Sequence, residues 1–228
     1  MQIAIDTSTD TASLALVRDG GMLAEMTWRC GPNHTVQLLP ALSSLLKQSN
    51  LSLDSAAGII VALGPGSYNG LRVGLSTAKG LAFSLDIPLV GISTLAAEAY
   101  QAALGGRGLP VCAIFNAGRG EIAEAIYKLD GDKMAQIEPE QVSTLEALCS
   151  RITGTTIFCG EYIPVIAGEL NRLFGERAVI VSGAANVRRA GFLAELGLRR
   201  LKAGDCDDPA TLQPLYLRAP PITQPKNK

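Results

Sequence analysis

The chain holds a single histidine, His34, among 228 residues. No imidazole pair can form within it, so a histidine-based metal centre is excluded. Five cysteines, Cys30, Cys112, Cys149, Cys159 and Cys206, are scattered without one CxxC pair. That spacing carries neither a disulfide framework nor a zinc knuckle and reads as reduced packing thiols. An excess of one charge is missing too: 20 basic residues face 21 acidic ones, which excludes a strongly basic nucleic-acid binder and a disordered polyelectrolyte. No window approaches the roughly 18 uncharged apolar residues of a membrane span. The opening Met1-Gln2-Ile3-Ala4-Ile5-Asp6 has no basic leader region and runs straight into a strand, so the expected location is the cytoplasm, without a membrane partner. What the chain does have is apolar mass, 47% of its residues. That is enough for a real core in one large domain or two small ones.

Gly64 to Gly80 reads Gly-Pro-Gly-Ser-Tyr-Asn-Gly-Leu-Arg-Val-Gly-Leu-Ser-Thr-Ala-Lys-Gly, directly after the apolar run Ile59–Leu63. A buried strand, a glycine turn and a helix start follow one another, an arrangement that aims backbone N–H groups and a helix dipole at one point. The Lys-Ser/Thr pair of a nucleotide phosphate loop does not follow at the required distance. Along the helix expected over Gly70–Leu85, small residues recur every fourth position: Gly70, Gly74, Ala78 and Ala82. Such positions stack into one ridge, flanked here by Leu71 and Leu75, and a ridge without side chains lets a second helix approach closely. It packs on the protein's own sheet or on a partner, and one helix can do both with different faces. The preceding helical stripe, with Val36, Leu38, Leu39, Leu42, Leu45 and Leu46, has more apolar residues than one buried face needs; Pro40 either starts or kinks that helix.

The order of elements is written twice. Three strand-like segments, ending in Asp6-Thr7-Ser8-Thr9, Asp19-Gly20-Gly21 and Trp28, precede a helix, strand, helix, strand and helix. After Gly105-Gly106-Arg107-Gly108 the same order begins again at Val111 and closes with a helix over Val187–Leu196. An antiparallel trio followed by alternating helices and strands predicts an α/β protein of two mixed β-sheets flanked by helices, the duplicated ribonuclease-H-like, actin-like ATPase fold. The expected units are 1–106 and a smaller 107–218, with a tail over 219–228.

Ile5-Asp6-Thr7-Ser8-Thr9, the whole of Gly64–Gly74, Ala78-Lys79-Gly80-Leu81-Ala82, Gly91-Ile92-Ser93-Thr94-Leu95 and Pro214-Leu215-Tyr216-Leu217-Arg218 together resemble one family, TsaB, also called YeaZ. The resemblance spans the chain and is densest from Met1 to Tyr100. It implies a non-catalytic relative of TsaD, the transferase that makes N6-threonylcarbamoyladenosine on tRNA. TsaD would be its heterodimer partner, with TsaE and the enzyme that makes threonylcarbamoyl-AMP in the same pathway. tRNA would be met only through the complex, and a homodimer would form in TsaD's absence. It also implies that the pairing surface lies on the two helices above, at Val36, Leu39, Leu42, Leu46, Gly70, Leu71, Gly74, Leu75, Ala78 and Ala82. Older naming places both relatives among glycoproteases of the peptidase M22 type.

Against that label, the catalytic relative's metal-holding histidine pair falls on Thr94 and Glu98, a set too poor for a metal centre. Asp6, Thr7 and Ser8 stand where active members of the fold turn a hairpin around phosphates, although Asp is also an ordinary turn residue. No cofactor is expected to be required; weak, vestigial ATP or ADP binding at that turn is left open, with Ser182–Asn186 a faint adenosine loop on the opposite wall. Asn116 replaces the family's usual Asp at the second hairpin. His34 reads as a residue at a helix start bonded to backbone. Arg188, Arg189, Arg199, Arg200 and Lys202 read as a solvated helical face. The competing reading is an enzyme in its own right, an ATP-dependent kinase or acyl transferase of the actin-like class, or a glycoprotease-type peptidase.

Overall fold

Alternation decides the layers. In β1 (Gln2–Asp6) the bulky Ile3 and Ile5 point to one face and Ala4 to the other. β2 (Thr11–Arg18) repeats the division, with Leu14 and Leu16 against Ala15 and Val17; period-two alternation sorts each strand in this way. β3 (Gly21–Arg29), α1 (His34–Gln48), β4 (Gly58–Gly64), α2 (Tyr68–Leu85), β5 (Leu89–Ser93) and α3 (Thr94–Ala103) complete the first half. The second half runs β6 (Val111–Gly118), β7 (Glu121–Asp130), β8 (Lys133–Ser143), α4 (Leu145–Arg151), β9 (Thr156–Cys159), α5 (Ile163–Phe174), β10 (Ala178–Ile180) and α6 (Ala190–Lys202). This computed structural model describes residues 1–106 and 108–218; the expected tail, 219–228, lies outside them.

The two sheets have the same plan, β3-β2-β1-β4-β5 and β10-β9-β6-β7-β8. β1 pairs antiparallel with β2 and parallel with β4, and β6 stands likewise between β7 and β9. The duplicated actin-like architecture expected from element order is therefore present. α1 and α2 cover the bulky face of the first sheet, through Leu38, Leu42, Leu45, Leu75, Ala78 and Ala82. α4 and α5 cover the corresponding outer face of the second.

The inner faces are exchanged. α3, from the first half, lays Leu95, Ala99 and Ala103 on the second sheet, against Ala113, Phe115 and Ala125. α6, from the second half, lays Leu193, Ala194 and Leu198 on the first, against Ala4, Ala15 and Ile60. In space the two halves of the chain therefore interlock through α3 and α6. Two local differences from the sequence reading matter below. Residues Gly183–Asn186 form a 3-10 turn and Val187 and Arg189 are extended, so α6 starts at Ala190 rather than Val187. Pro40 lies inside a continuous α1 instead of starting it. Among the described residues no helix is long and apolar enough to cross a membrane.

Candidate functional site: the cleft between the two sheets

The first hairpin turn leaves β1 at Asp6 and is locked to the glycine junction. Ser67 N donates to Ser8 O at 2.6 Å, and the Thr7 hydroxyl donates to Gly70 O at 2.7 Å. A Cβ at Gly66 would collide with the Ser8 carbonyl, and one at Gly74 with the Thr7 hydroxyl. These glycines are spent on a close approach of backbone to backbone. Ser67 caps α2, accepting from Gly70 N at 3.4 Å. The sequence ridge is thereby resolved: Gly70, Leu71, Gly74, Leu75, Ala78 and Ala82 are all buried against the protein's own first sheet and turn. Leu42 and Leu46 are buried as well. In the single chain these eight side chains face mainly inward, and Leu42 and Leu46 also line the floor of the groove described below. Of the expected pairing residues, Val36 (67% exposed) and Leu39 (53%) remain open, and α2 adds Phe83 at 86%. A cavity of about 550 Å³ lined by Leu39, Ser43, Lys47, Leu53 and Leu81 opens beside them.

Asp6, Thr7 and Ser8 do come together at one turn, but their polar atoms are turned inward. Asp6 Oδ1 accepts from Ser8 N at 2.9 Å and from the Ser8 hydroxyl at 2.6 Å. Asp6 Oδ2 lies 2.6 Å from Arg188 Nε. That contact is an ion pair by proximity, since neither atom makes an aligned hydrogen bond. Both side chains are essentially inaccessible, Arg188 at 2%. Arg188 therefore leaves the solvated face expected for it and becomes the largest fully buried side chain. Its Nη2 donates to the Thr9 hydroxyl at 2.8 Å and to Thr11 O at 3.1 Å. Glu161, after β9, stands 3.7 Å from the same nitrogen and accepts from the Thr9 hydroxyl at 2.6 Å. The Arg188 guanidinium also lies 5.6 Å from the Phe115 ring centre.

Glu98, on α3, completes the cluster. It is 1% exposed and neither carboxyl oxygen has a hydrogen-bond partner. Burial pushes its carboxyl up to about 8; Arg188 opposes that rise, while Glu161 and Asp6 add to it. Thr94, the other position matching the relative's histidines, is buried and accepts from Gly64 N at 3.0 Å, holding the glycine junction. Among the described residues no three His, Cys, Asp or Glu side chains are grouped to hold a metal. Buried Cys112 and Cys159 are raised well above the usual thiol range by burial, which suits packing thiols and not nucleophiles. His34, the first residue of α1, is buried with Nε2 2.8 Å from Thr9 O, a backbone contact at a helix start. Asn186 of the supposed adenosine loop is turned inward, accepting from Gly160 N at 3.0 Å and donating to Val181 O at 2.8 Å.

Sequence reasoning missed Glu161, Arg188 and an apolar cavity of about 570 Å³ walled by Tyr68, Phe115, Val142, Leu215 and Tyr216. Tyr68 and Tyr216 stack there with centroids 5.2 Å apart. Nothing local distinguishes Arg188 from Arg189. The apolar Tyr216-Leu217 pair, late in the chain, was the one available signal for the cavity.

These features define a two-lobed protein of the actin-like class whose interlobe cleft is occupied by its own arginine. The structure described as YeaZ from Pseudomonas aeruginosa superimposes with a TM-score of 0.80 at 24% identity, covering 95% of this chain and 99% of that one. The ethanolamine utilization protein EutJ from Carboxydothermus hydrogenoformans does so at 0.51 and 12% identity, covering 86% and 89%. Both share the fold. A family model described as "TsaD: tRNA N6-adenosine threonylcarbamoyltransferase" matches residues 9–164. The tRNA threonylcarbamoyladenosine biosynthesis protein TsaB of Bacillus subtilis is 34% identical over 223 residues, 95% of this chain and 93% of that protein. The Escherichia coli TsaB is 36% identical over 128 residues, 56% and 55% of the two chains. The chain belongs to the TsaB (YeaZ) family.

Proposed function

We propose that this chain is the non-catalytic TsaB-type subunit for N6-threonylcarbamoyladenosine formation at position 37 of tRNA, acting in the cytoplasm by binding TsaD and working with TsaE. The observation that carries the reading is the kinship with TsaB over nearly the whole chain. The cleft supports it. Asp6, Thr7 and Ser8 spend their polar atoms on Arg188, Gly70 and one another, and Thr94 and Glu98 offer no imidazole. No nucleotide is required, and any ATP or ADP bound at this turn would be held weakly. The partner face is the open side of α1 and α2, where Val36, Leu39 and Phe83 stand exposed. Apolar side chains rimming a groove mark association surfaces. A homodimer through the same face would compete with TsaD.

The test combines the chain with TsaD, TsaE and the threonylcarbamoyl-AMP-making enzyme. Modification is expected with the chain and lost without it. Leu39→Glu is expected to lose TsaD in a pull-down while keeping the wild-type circular dichroism spectrum and melting midpoint. ATP hydrolysis by the chain alone, abolished in Asp6→Ala, would overturn the reading in favour of an autonomous enzyme.

A further inference from the structure

Arg188 is anchored on both sides before its side chain enters the cleft. Upstream, Asn186 ties the segment to Gly160 and Val181 of the second half. Downstream, Ala190 N donates to the Ser13 hydroxyl of the first half at 2.9 Å. The side chain then pairs with Asp6 and bonds Thr9 and Thr11 on one wall, and stands 3.7 Å from Glu161 and 5.6 Å from the Phe115 ring centre on the other. Two carboxyl groups flank this one cation, Asp6 at 2.6 Å and Glu161 at 3.7 Å. Clefts between lobes are where ligands usually bind, and lobes joined by loop segments usually hinge. Here the cleft's only buried cation among the described residues is a side chain already in place. A planar guanidinium suits the task better than an ammonium, because its fork serves Asp6, Thr9 and Thr11 of the first half together while its backbone is tied to the second.

We propose that Arg188 is an interlobe staple: it fills the acidic cleft from inside and holds the two halves closed, so that opening the cleft requires its withdrawal. The inference concerns the isolated chain and does not depend on TsaD, so its failure leaves the partner-subunit reading untouched.

Hydrogen exchange followed by mass spectrometry tests it on the full chain. Local opening is read as faster amide exchange in the segments that separate. In Arg188→Met, exchange is expected to rise at least about tenfold on both walls, over residues 8–11 and 160–162, with β4 unchanged. Arg188→Lys, which keeps the charge and loses the fork, should fall between Met and wild type. Acceleration confined to residues 187–189, or none, would overturn the staple. So would uniform acceleration through β4, which would make Arg188 a general core residue. Should Arg188→Met not fold, Glu161→Gln serves: it leaves the contact with Asp6 and cuts the charge on the second wall alone. Local acceleration over 160–162 is then expected, and wild-type exchange there would overturn the proposal.

Discussion

The two hairpin turns of this duplicated fold begin identically and end in opposite environments. At the first, Asp6 Oδ1 accepts from the N–H of Ser8, two residues on, at 2.9 Å. At the second, Asn116 Oδ1 accepts from Gly118 N at 2.8 Å. Both are side chains folding back onto their own turn. Asp6 is buried against Arg188, whereas Asn116 is exposed and leads into Gly118, Arg119 and Gly120, all with positive φ. The fold supplies the same local geometry twice, and the surroundings decide whether a charge there matters. A carboxylate at the first turn needs a counter-cation; an amide at the second needs only water.

Removing the first carboxylate is the most severe way to break that comparison. Asp6→Ala leaves Arg188 buried without its nearest anion, and breaking a buried pair costs about 3–5 kcal/mol. The expected outcome is a large fall in the midpoint of urea unfolding. A loss under about 1 kcal/mol would mean that the turn's own hydrogen bonds, and not the ion pair, hold it.

Glu98 sharpens the comparison next, because it faces the first turn and its charge would add to that of Asp6. Its carboxyl is pushed up to about 8 in the folded chain by burial, against an ordinary value of about 4.3 in the unfolded one. The neutral form is thus favoured by folding. The stability it contributes is complete below about pH 4.5 and is lost as pH rises through about 8. Glu98→Gln cannot ionise, so it should equal wild type near pH 4.5 and exceed it progressively up to pH 8, with a limiting slope of about 1.4 kcal/mol per pH unit. Paired unfolding curves at pH 5 and pH 8 measure the difference. Equal gaps at both values would place Glu98 in its charged form throughout.

Much of this molecule could be read in one dimension, and the residues that could not share a cause. Element order, the Asp19-Gly20-Gly21 hairpin and both sheets follow from alternation and turn residues, which are local properties. The exchange of α3 and α6 between the sheets does not, because each helix carries an apolar face that fits either sheet equally well in sequence. The ridge at Gly70, Gly74, Ala78 and Ala82 correctly signals a close approach. Periodicity cannot say that the approaching group is the protein's own Thr7. Arg188 is the sharpest case: its partners Asp6, Thr9 and Thr11 lie nearly the whole chain away, and beside Arg189 it has the look of any surface arginine. Thr94 and Glu98 stand out in the sequence as positions lacking histidine, yet only the structure shows the threonine supporting the glycine junction.

The smallest expected effect is the most direct control. Asn116→Asp places at the second turn the residue that the first turn already has, without changing shape. Its Oδ1 can still accept from Gly118 N, and solvent bears the new charge. Arg119 and Arg218 are close in sequence or space to that hairpin, Arg218 pairing with Glu121 at its far side. Surface substitutions of this kind stay within about 0.5 kcal/mol, and no pH dependence beyond ordinary carboxylate titration is expected. The same carboxylate would thus be worth several kcal/mol at one turn and almost nothing at its structural twin. If Asn116→Asp instead destabilises the chain as strongly as Asp6→Ala, the second turn is not the solvated counterpart that its exposure indicates, and burial ceases to explain why only the first turn has a buried arginine against it.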